Sequence, residues 1–64
     1  MDFSLNACYE RVVFEVETLK VNVFEALGRA IIRAEQDVFL YNKTMIVAYK
    51  KYISDHDIKW DDEF

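Results

Sequence analysis

The residue types that could do chemistry are few and lie far apart in the chain. Cys8 is separated by 48 residues from His56, the single histidine, so no local motif pairs a thiol with a base. Ser4 and Ser54 do not stand in the context of a catalytic triad either. Cys8 is predicted to be a small core residue, and Ser4 to cap a helix. We therefore predict that the protein is not an enzyme and has no cofactor.

A metal site is considered because carboxylates surround His56. Asp55 and Asp57 flank the imidazole, and three more acids follow within eight residues of it. Metal ligands must be held rigidly by neighbouring groups, and no scaffold is evident in this segment. One cysteine and one histidine also fall short of the four nitrogen or sulfur ligands of a structural zinc site. We predict no metal site.

Basic and tyrosine residues in the second half of the chain could bind an anion. Arg29 and Arg33 are one helical turn apart, and three lysines follow without an acid between residues 38 and 54. The alternative function is therefore an oligomer that sequesters a small phosphorylated ligand or nucleotide at a subunit interface, through Arg29, Arg33, Lys43, Tyr49 and Lys50. The competing interpretation is that the lysines complement the helix dipole and keep the surface polar. Nucleic-acid binding is disfavoured, because the net charge is −4.

Apolar spacing predicts helices in both halves of the chain. In the second half apolar residues recur at alternating steps of three and four, which is the spacing of one helix face. On a heptad they form an unbroken seam, as in a coiled coil. We predict that this seam is an oligomer interface, formed by Phe24, Leu27, Ile31, Ala34, Val38, Tyr41, Met45, Ala48 and Tyr52.

The unbroken seam favours one helix over residues 22–54, although Asn42 or Thr44 could cap a new one. Such a helix would be about 50 Å long, whereas a compact chain of this length has a radius of gyration of about 11 Å. It would need a second copy, or another protein, along its length. Gly28 lies beside the seam, where it could allow close helix approach or mark a kink or break.

The first half has a similar apolar series from Leu5 to Val23, but in a different register. Either the stripe rotates near residues 20–24 or the chain breaks there. Residues 12–24 are rich in β-branched side chains, so a strand competes with a helix. We favour the helix, because no hairpin turn residues divide the segment.

Size and composition indicate self-association. A chain of 64 residues has a marginal core, and small proteins usually add a disulfide, a metal or a partner subunit. The lone Cys8 rules out an intrachain disulfide and fits a reducing compartment, so we expect the cytoplasm, or a host's cytoplasm if the protein is viral. No apolar run is long enough to cross a membrane.

The charge divides the chain into two parts. Residues 1–54 hold seven basic and seven acidic side chains, so the net charge lies in residues 55–64. We predict a helical oligomerisation domain over residues 1–54 and a flexible acidic aromatic tail over residues 55–64. A solubilising acidic tail has no need of large aromatics, so the tail is predicted to dock a partner through Trp60, Asp61, Asp62, Glu63 and Phe64. The alternative is that Trp60 packs on the helices of its own chain while the acids meet Lys50 and Lys51.

The tail resembles those of bacterial and phage single-stranded-DNA-binding proteins, in which acids precede a terminal phenylalanine. The resemblance covers about seven residues, and Glu63 stands where the bacterial tails usually have proline. It implies that Phe64 enters an apolar pocket and that its carboxylate meets an arginine, while Asp61, Asp62 and Glu63 steer the approach to a basic rim.

The fold class predicted from these patterns is all-α, a helical hairpin or long-helix bundle assembled as a homodimer or higher oligomer. The predicted function is that of a small non-enzymatic regulator or inhibitor that binds an unidentified protein. Its small size and acidic tail are similar in kind to the short accessory proteins that bacteriophages use against host factors.

Overall fold

A computed structural model of the protein describes residues 4–36 and 40–59. Within these residues the chain is all-α and has no strand, as the sequence predicts. The helices are α1 (Leu5–Val13), α2 (Val23–Ala34) and α3 (Tyr41–Asp55), and a π-helical turn (Phe14–Thr18) extends α1. None of the described helices is long and apolar enough to cross a membrane.

The first helix begins at the predicted cap and ends in a widened turn. The Ser4 side chain accepts a hydrogen bond from the Ala7 amide at 3.2 Å, which satisfies one of the free donors of the first turn. In the π-helical turn the amide of Leu19 donates to the Phe14 carbonyl, five residues earlier. This widening changes the register of the apolar stripe. Residues 12–18 are therefore helical rather than a strand.

The second helix begins after a break at residues 19–22, one of the two outcomes expected there. Lys20 adopts a left-handed conformation with φ 60°, which ends the preceding helix. Asn22 then caps α2, because its side-chain oxygen accepts hydrogen bonds from the amides of Phe24 and Glu25. Glu25 in the first turn and Arg33 in the last have the charges that a helix dipole favours.

The single helix predicted for residues 22–54 is wrong. The helix α2 ends at Ala34, α3 starts at Tyr41, and Leu40 between them has a left-handed backbone with φ 64°. The cap of α3 is Leu40, and not Asn42 or Thr44; Thr44 instead donates from its amide and its hydroxyl to the Leu40 carbonyl. The break lets the two helices fold back and bury their apolar faces against each other.

Leu40→Gly is expected to raise the free energy of unfolding by about 1 kcal/mol. A left-handed backbone costs an L residue about 1–2 kcal/mol, which glycine avoids, although its larger unfolded-state entropy offsets part of the gain. Lys50→Gly, at an exposed position inside α3, is the matched control and should cost about 1 kcal/mol. Urea denaturation measures both. Equal destabilisation by the two variants would mean that a helix runs through residue 40.

The third helix ends in a hydrogen-bonded motif that includes the start of the acidic segment. Asp57 is left-handed, its amide donates to the Ser54 carbonyl, and the amide of Ile58 donates to the Ile53 carbonyl at 3.0 Å. This is the Schellman pattern, and the apolar contact that accompanies it is present because Ile58 packs against the core. The backbone hydrogen bonds and the Ile58 contact therefore hold residues 55–58 against the end of α3 and the core.

The core lies where α1 and α2 pack against α3, which is the central helix. Its buried side chains are Cys8, Val12, Val23, Ala26, Ala30, Met45, Ala48, Tyr49 and Tyr52. The prediction that Cys8 is a core residue is confirmed, since only 2% of it is exposed. The radius of gyration is 11.6 Å, so the chain folds compactly on itself. The described helices are short enough to be buried against one another, so none of them needs a second copy along its length.

Gly28 lies inside α2, so it does not mark a break. Apart from its chain neighbours and the backbone of its own helix, no atom lies within 4 Å of the position that a Cβ would take there. Close packing of helices within the described chain is therefore not the reason for this glycine. Contact between Gly28 and a second copy remains a prediction.

Candidate functional site

A cleft of about 220 Å³ lies beside the core, between the end of α1, the following linker, α2 and α3. It combines three guanidinium groups, one carboxylate, one phenol and a small apolar wall. Its lining residues are Arg11, Glu15, Leu19, Val21, Ala26, Arg29, Arg33 and Tyr49. The charge of its lining residues makes the cleft a candidate for anion binding.

Glu15 joins two sides of the cleft. One carboxylate oxygen accepts a hydrogen bond from Arg11 Nε at 2.8 Å, and the other accepts one from the Tyr49 hydroxyl at 2.6 Å. Glu15 lies in the π-helical turn, four residues after Arg11. The position of its carboxylate, and with it both hydrogen bonds, therefore depends on how α1 ends. The carboxylate thus satisfies the hydroxyl of a tyrosine that is only 5% exposed.

Arg29 and Arg33 supply the remaining positive charge. They are one turn apart on α2 and flank its buried stripe on one side, whereas Phe24 and Ile31 flank it on the other side. Neither arginine has a side-chain hydrogen bond or ion pair with any residue in the ranges 4–36 and 40–59. Two arginines therefore line one cleft without a hydrogen bond or ion pair to any described residue.

The structure brings together part of the anion site predicted from sequence. Arg29, Arg33 and Tyr49 line the cleft, whereas Lys43 and Lys50 do not and lie on exposed positions of α3. Tyr49 is buried and its hydroxyl is already used, so it supports the cleft instead of stacking on a ligand.

Sequence reasoning missed Arg11 as a lining residue. The one signal for it is its spacing of four residues from Glu15, which suits an ion pair on a helix. That spacing does not predict that α1 and α2 line the same cleft.

The predicted oligomer seam is divided between the core and the surface. Met45, Ala48 and Tyr52 are buried in the single chain. Partly buried residues of the seam are Phe24, Leu27, Ala34 and Tyr41, and Ile31 is 46% exposed. Val38 lies outside the described residues. The α2 part of the seam is therefore the part that a second copy could reach.

Several large apolar side chains remain in contact with solvent. The most exposed is Ile32 at 70%. The others are Leu5, Phe14, Leu19, Ile31, Leu40 and Val47. By contrast, three of the nine core residues are alanines. Large apolar side chains are thus exposed to solvent, while small ones occupy part of the core.

The residues around His56 have structural contacts. The His56 ring stacks on the Tyr52 ring with centroids 4.0 Å apart, and its Nδ1 lies 3.0 Å from the Tyr52 carbonyl oxygen. Asp55 Oδ2 accepts hydrogen bonds from the Tyr9 hydroxyl and from Lys51 Nζ, both at 3.0 Å. The Lys51 ion pair and the Tyr9 hydrogen bond hold the pKa of Asp55 below its usual value. The predicted docking residues Trp60, Asp61, Asp62, Glu63 and Phe64 lie outside the described residues.

Comparison with known proteins gave no match to a family model, to a curated protein or to a solved structure.

Alkaline pH is expected to destabilise the protein through Tyr49. Burial, and then the hydrogen bond to Glu15, raises the pKa of Tyr49 above its usual value. The folded state therefore holds this proton more tightly than the unfolded state, where the pKa is about 10. The stabilisation is complete below pH ~10 and is lost as the pH rises further, towards the folded-state pKa.

Urea denaturation at several pH values measures this effect, with Tyr49→Phe as the control. The variant should lose less stability above pH ~10 than the wild type. Some dependence remains, because desolvation and nearby carboxylates also raise the pKa values of Tyr9 and Tyr52. Parallel loss of stability in both proteins would show that the Tyr49 proton does not contribute.

Proposed function

We propose that this chain is a small non-enzymatic regulator or inhibitor that acts by binding proteins, namely a second copy of itself and an unidentified partner. The observation that supports the proposal most is that seven large apolar side chains are exposed, although three of the nine core residues are alanines. Exposed apolar side chains mark a protein interface where several of them lie together on one face.

The side chains that could serve catalysis have other roles in the fold. Cys8 is enclosed in the core, and His56 is stacked on Tyr52. A thiol that solvent does not reach is a poor nucleophile. These placements favour a binding function over an enzymatic one.

The second copy is proposed to bind at the apolar flank of α2, formed by Phe24, Leu27 and Ile31. In a twofold dimer the same surface faces itself, so it must be self-complementary. An apolar flank meets this requirement, whereas the opposite flank, with Arg29 and Arg33, would repel its own copy. Self-association would also supply the additional stabilisation that a core of this size needs.

The other partner is proposed to bind the segment from Trp60 to Phe64. The support is its sequence, in which two large aromatics accompany three acids. The helix-end motif fixes Ile58 against the core, so the docking segment follows an anchored residue. If the likeness to phage accessory proteins holds, the partner is a host factor and the protein acts in the host cytoplasm.

Deletion of residues 60–64 is expected to abolish partner binding and to leave the fold and the oligomeric state unchanged. Affinity capture from a cell lysate, with the full-length and truncated chains in parallel, measures binding. Circular dichroism and light scattering check the fold and the mass. A fall of several degrees in melting temperature on truncation would mean that the segment is structural, and the docking proposal should then be dropped.

A further inference from the structure

We infer that the cleft beside α2 is a binding site for the phosphate group of a small phosphomonoester, complete within one copy of the chain. This differs from protein binding by the apolar flank, because Arg29 and Arg33 lie on the other side of α2. It also differs from a site at a subunit interface, since the charged groups of the cleft all come from one chain.

The charge of the cleft matches a phosphate dianion. Arg11, Arg29 and Arg33 contribute three positive charges and Glu15 one negative charge, which leaves a net charge of +2. A phosphate monoester has a charge of about −1.5 to −2 at pH 7. A simple carboxylate has half of that charge and would leave one positive charge unbalanced. The balance therefore favours phosphate over carboxylate ligands.

The donors are arranged so that folding does not use them up. Arg11 is oriented by its Nε contact to Glu15, and this leaves the four N–H groups of its two terminal nitrogens for a ligand. Arg29 and Arg33 have no described partner, and each guanidinium can donate two parallel hydrogen bonds to phosphate oxygens. The Tyr49 hydroxyl donates a hydrogen bond to Glu15 and so fixes the orientation of this carboxylate.

The size of the cleft restricts the organic part of the ligand. Sites that enclose drug-sized molecules measure about 300–1,000 Å³, and this cleft measures about 220 Å³. A phosphate with a short organic chain fits, whereas a nucleotide would leave its base outside. Leu19, Val21 and Ala26 provide an apolar wall for that short chain. The ligand class is therefore a small phosphomonoester.

The proposal is tested by titrating the full chain with glycerol 3-phosphate and with inorganic phosphate, followed by amide and arginine side-chain NMR signals. Saturable shifts are expected at Val21, Ala26 and the three arginines, with acetate giving much weaker binding. Arg29→Gln and Arg33→Gln should each weaken binding about tenfold, as expected for loss of one charge-assisted contact. The double variant should show no saturation.

Lys50→Gln is the matched control, because it removes one exposed positive charge outside the cleft. It should leave the affinity for phosphate unchanged. Ile31→Asp should also bind normally, which separates this site from self-association. Non-saturable shifts in the wild type, acetate binding as tight as phosphate, or equal weakening by Lys50→Gln and Arg29→Gln would each overturn the proposal.

Discussion

Ile31→Asp is expected to give a folded monomer under conditions in which the wild type associates. Ile31 is 46% exposed in the single chain, so an aspartate there remains hydrated and costs the fold little. In the proposed dimer the carboxylate would be buried without a partner and close to its own symmetry copy, which costs several kcal/mol. A loss of about 3 kcal/mol weakens association roughly a hundredfold. Sedimentation velocity measures the change.

Ile32→Asp is the matched control for this prediction. The next residue on α2 is 70% exposed and points away from the flank that contains Phe24 and Ile31. Ile32→Asp should therefore retain the oligomeric state of the wild type. Equal dissociation of both variants would point to a general effect of added negative charge, and the apolar flank would then not be the interface. Circular dichroism confirms that each variant is folded.

Glu15→Ala is expected to lower the free energy of unfolding by about 2–3 kcal/mol. Its largest effect is on Tyr49, whose buried hydroxyl loses its acceptor; an unsatisfied buried donor costs about 1–3 kcal/mol. The ion pair with Arg11 adds little, because more than half of the Arg11 side chain is exposed. For a domain of this size the loss is a large part of the total stability. Urea denaturation measures it.

Three controls isolate the hydrogen bond between Glu15 and Tyr49. Glu15→Gln keeps an acceptor oxygen and should cost less than about 1 kcal/mol. In Tyr49→Phe the donor is absent, so adding Glu15→Ala should cost much less than it does in the wild type. Glu17→Ala removes a longer contact of 3.3 Å to Tyr52 from an exposed glutamate and should have a small effect. Equal losses for Glu15→Ala and Glu17→Ala would contradict the assigned role.

The local features of the fold could be predicted because local chemistry sets them. The apolar spacing indicates helices, Ser4 is a good cap, and the change of register predicts either a rotated stripe or a break near residues 20–24, of which the break is found. Cys8 is predicted to lie in the core because its neighbours on the helix face are apolar, and it is buried there.

The break at Leu40 had a weaker signal, because Asn42 and Thr44 could each cap a new helix but neither one does so. The three-and-four apolar spacing runs through residues 35–41 without glycine or proline, and leucine rarely adopts a left-handed backbone. The gain from packing α2 against α3 within one chain outweighs the local preference for a continuous helix. Part of the predicted oligomer seam is thus buried within the single chain.

The residues of the cleft could likewise be predicted only in part, because tertiary packing brings them together. Arg29 and Arg33 could be paired from their spacing on one helix, but Arg11 reaches them only because α1 and α2 both pack on α3. The sequence predicts Lys43 and Lys50 as anion ligands because they lie in a stretch that has lysines and no acid. They are one heptad apart on the outward side of α3, where the helix period takes them away from the core.

The mass of the wild-type protein in solution tests the central claim of self-association most directly. One chain has a mass of 7.6 kDa. Sedimentation equilibrium over the micromolar range is expected to show a mass that rises with concentration to at least twice this value, and a melting temperature that rises with it. A stable, folded species of 7.6 kDa at every concentration, with a constant melting temperature, would contradict the claim.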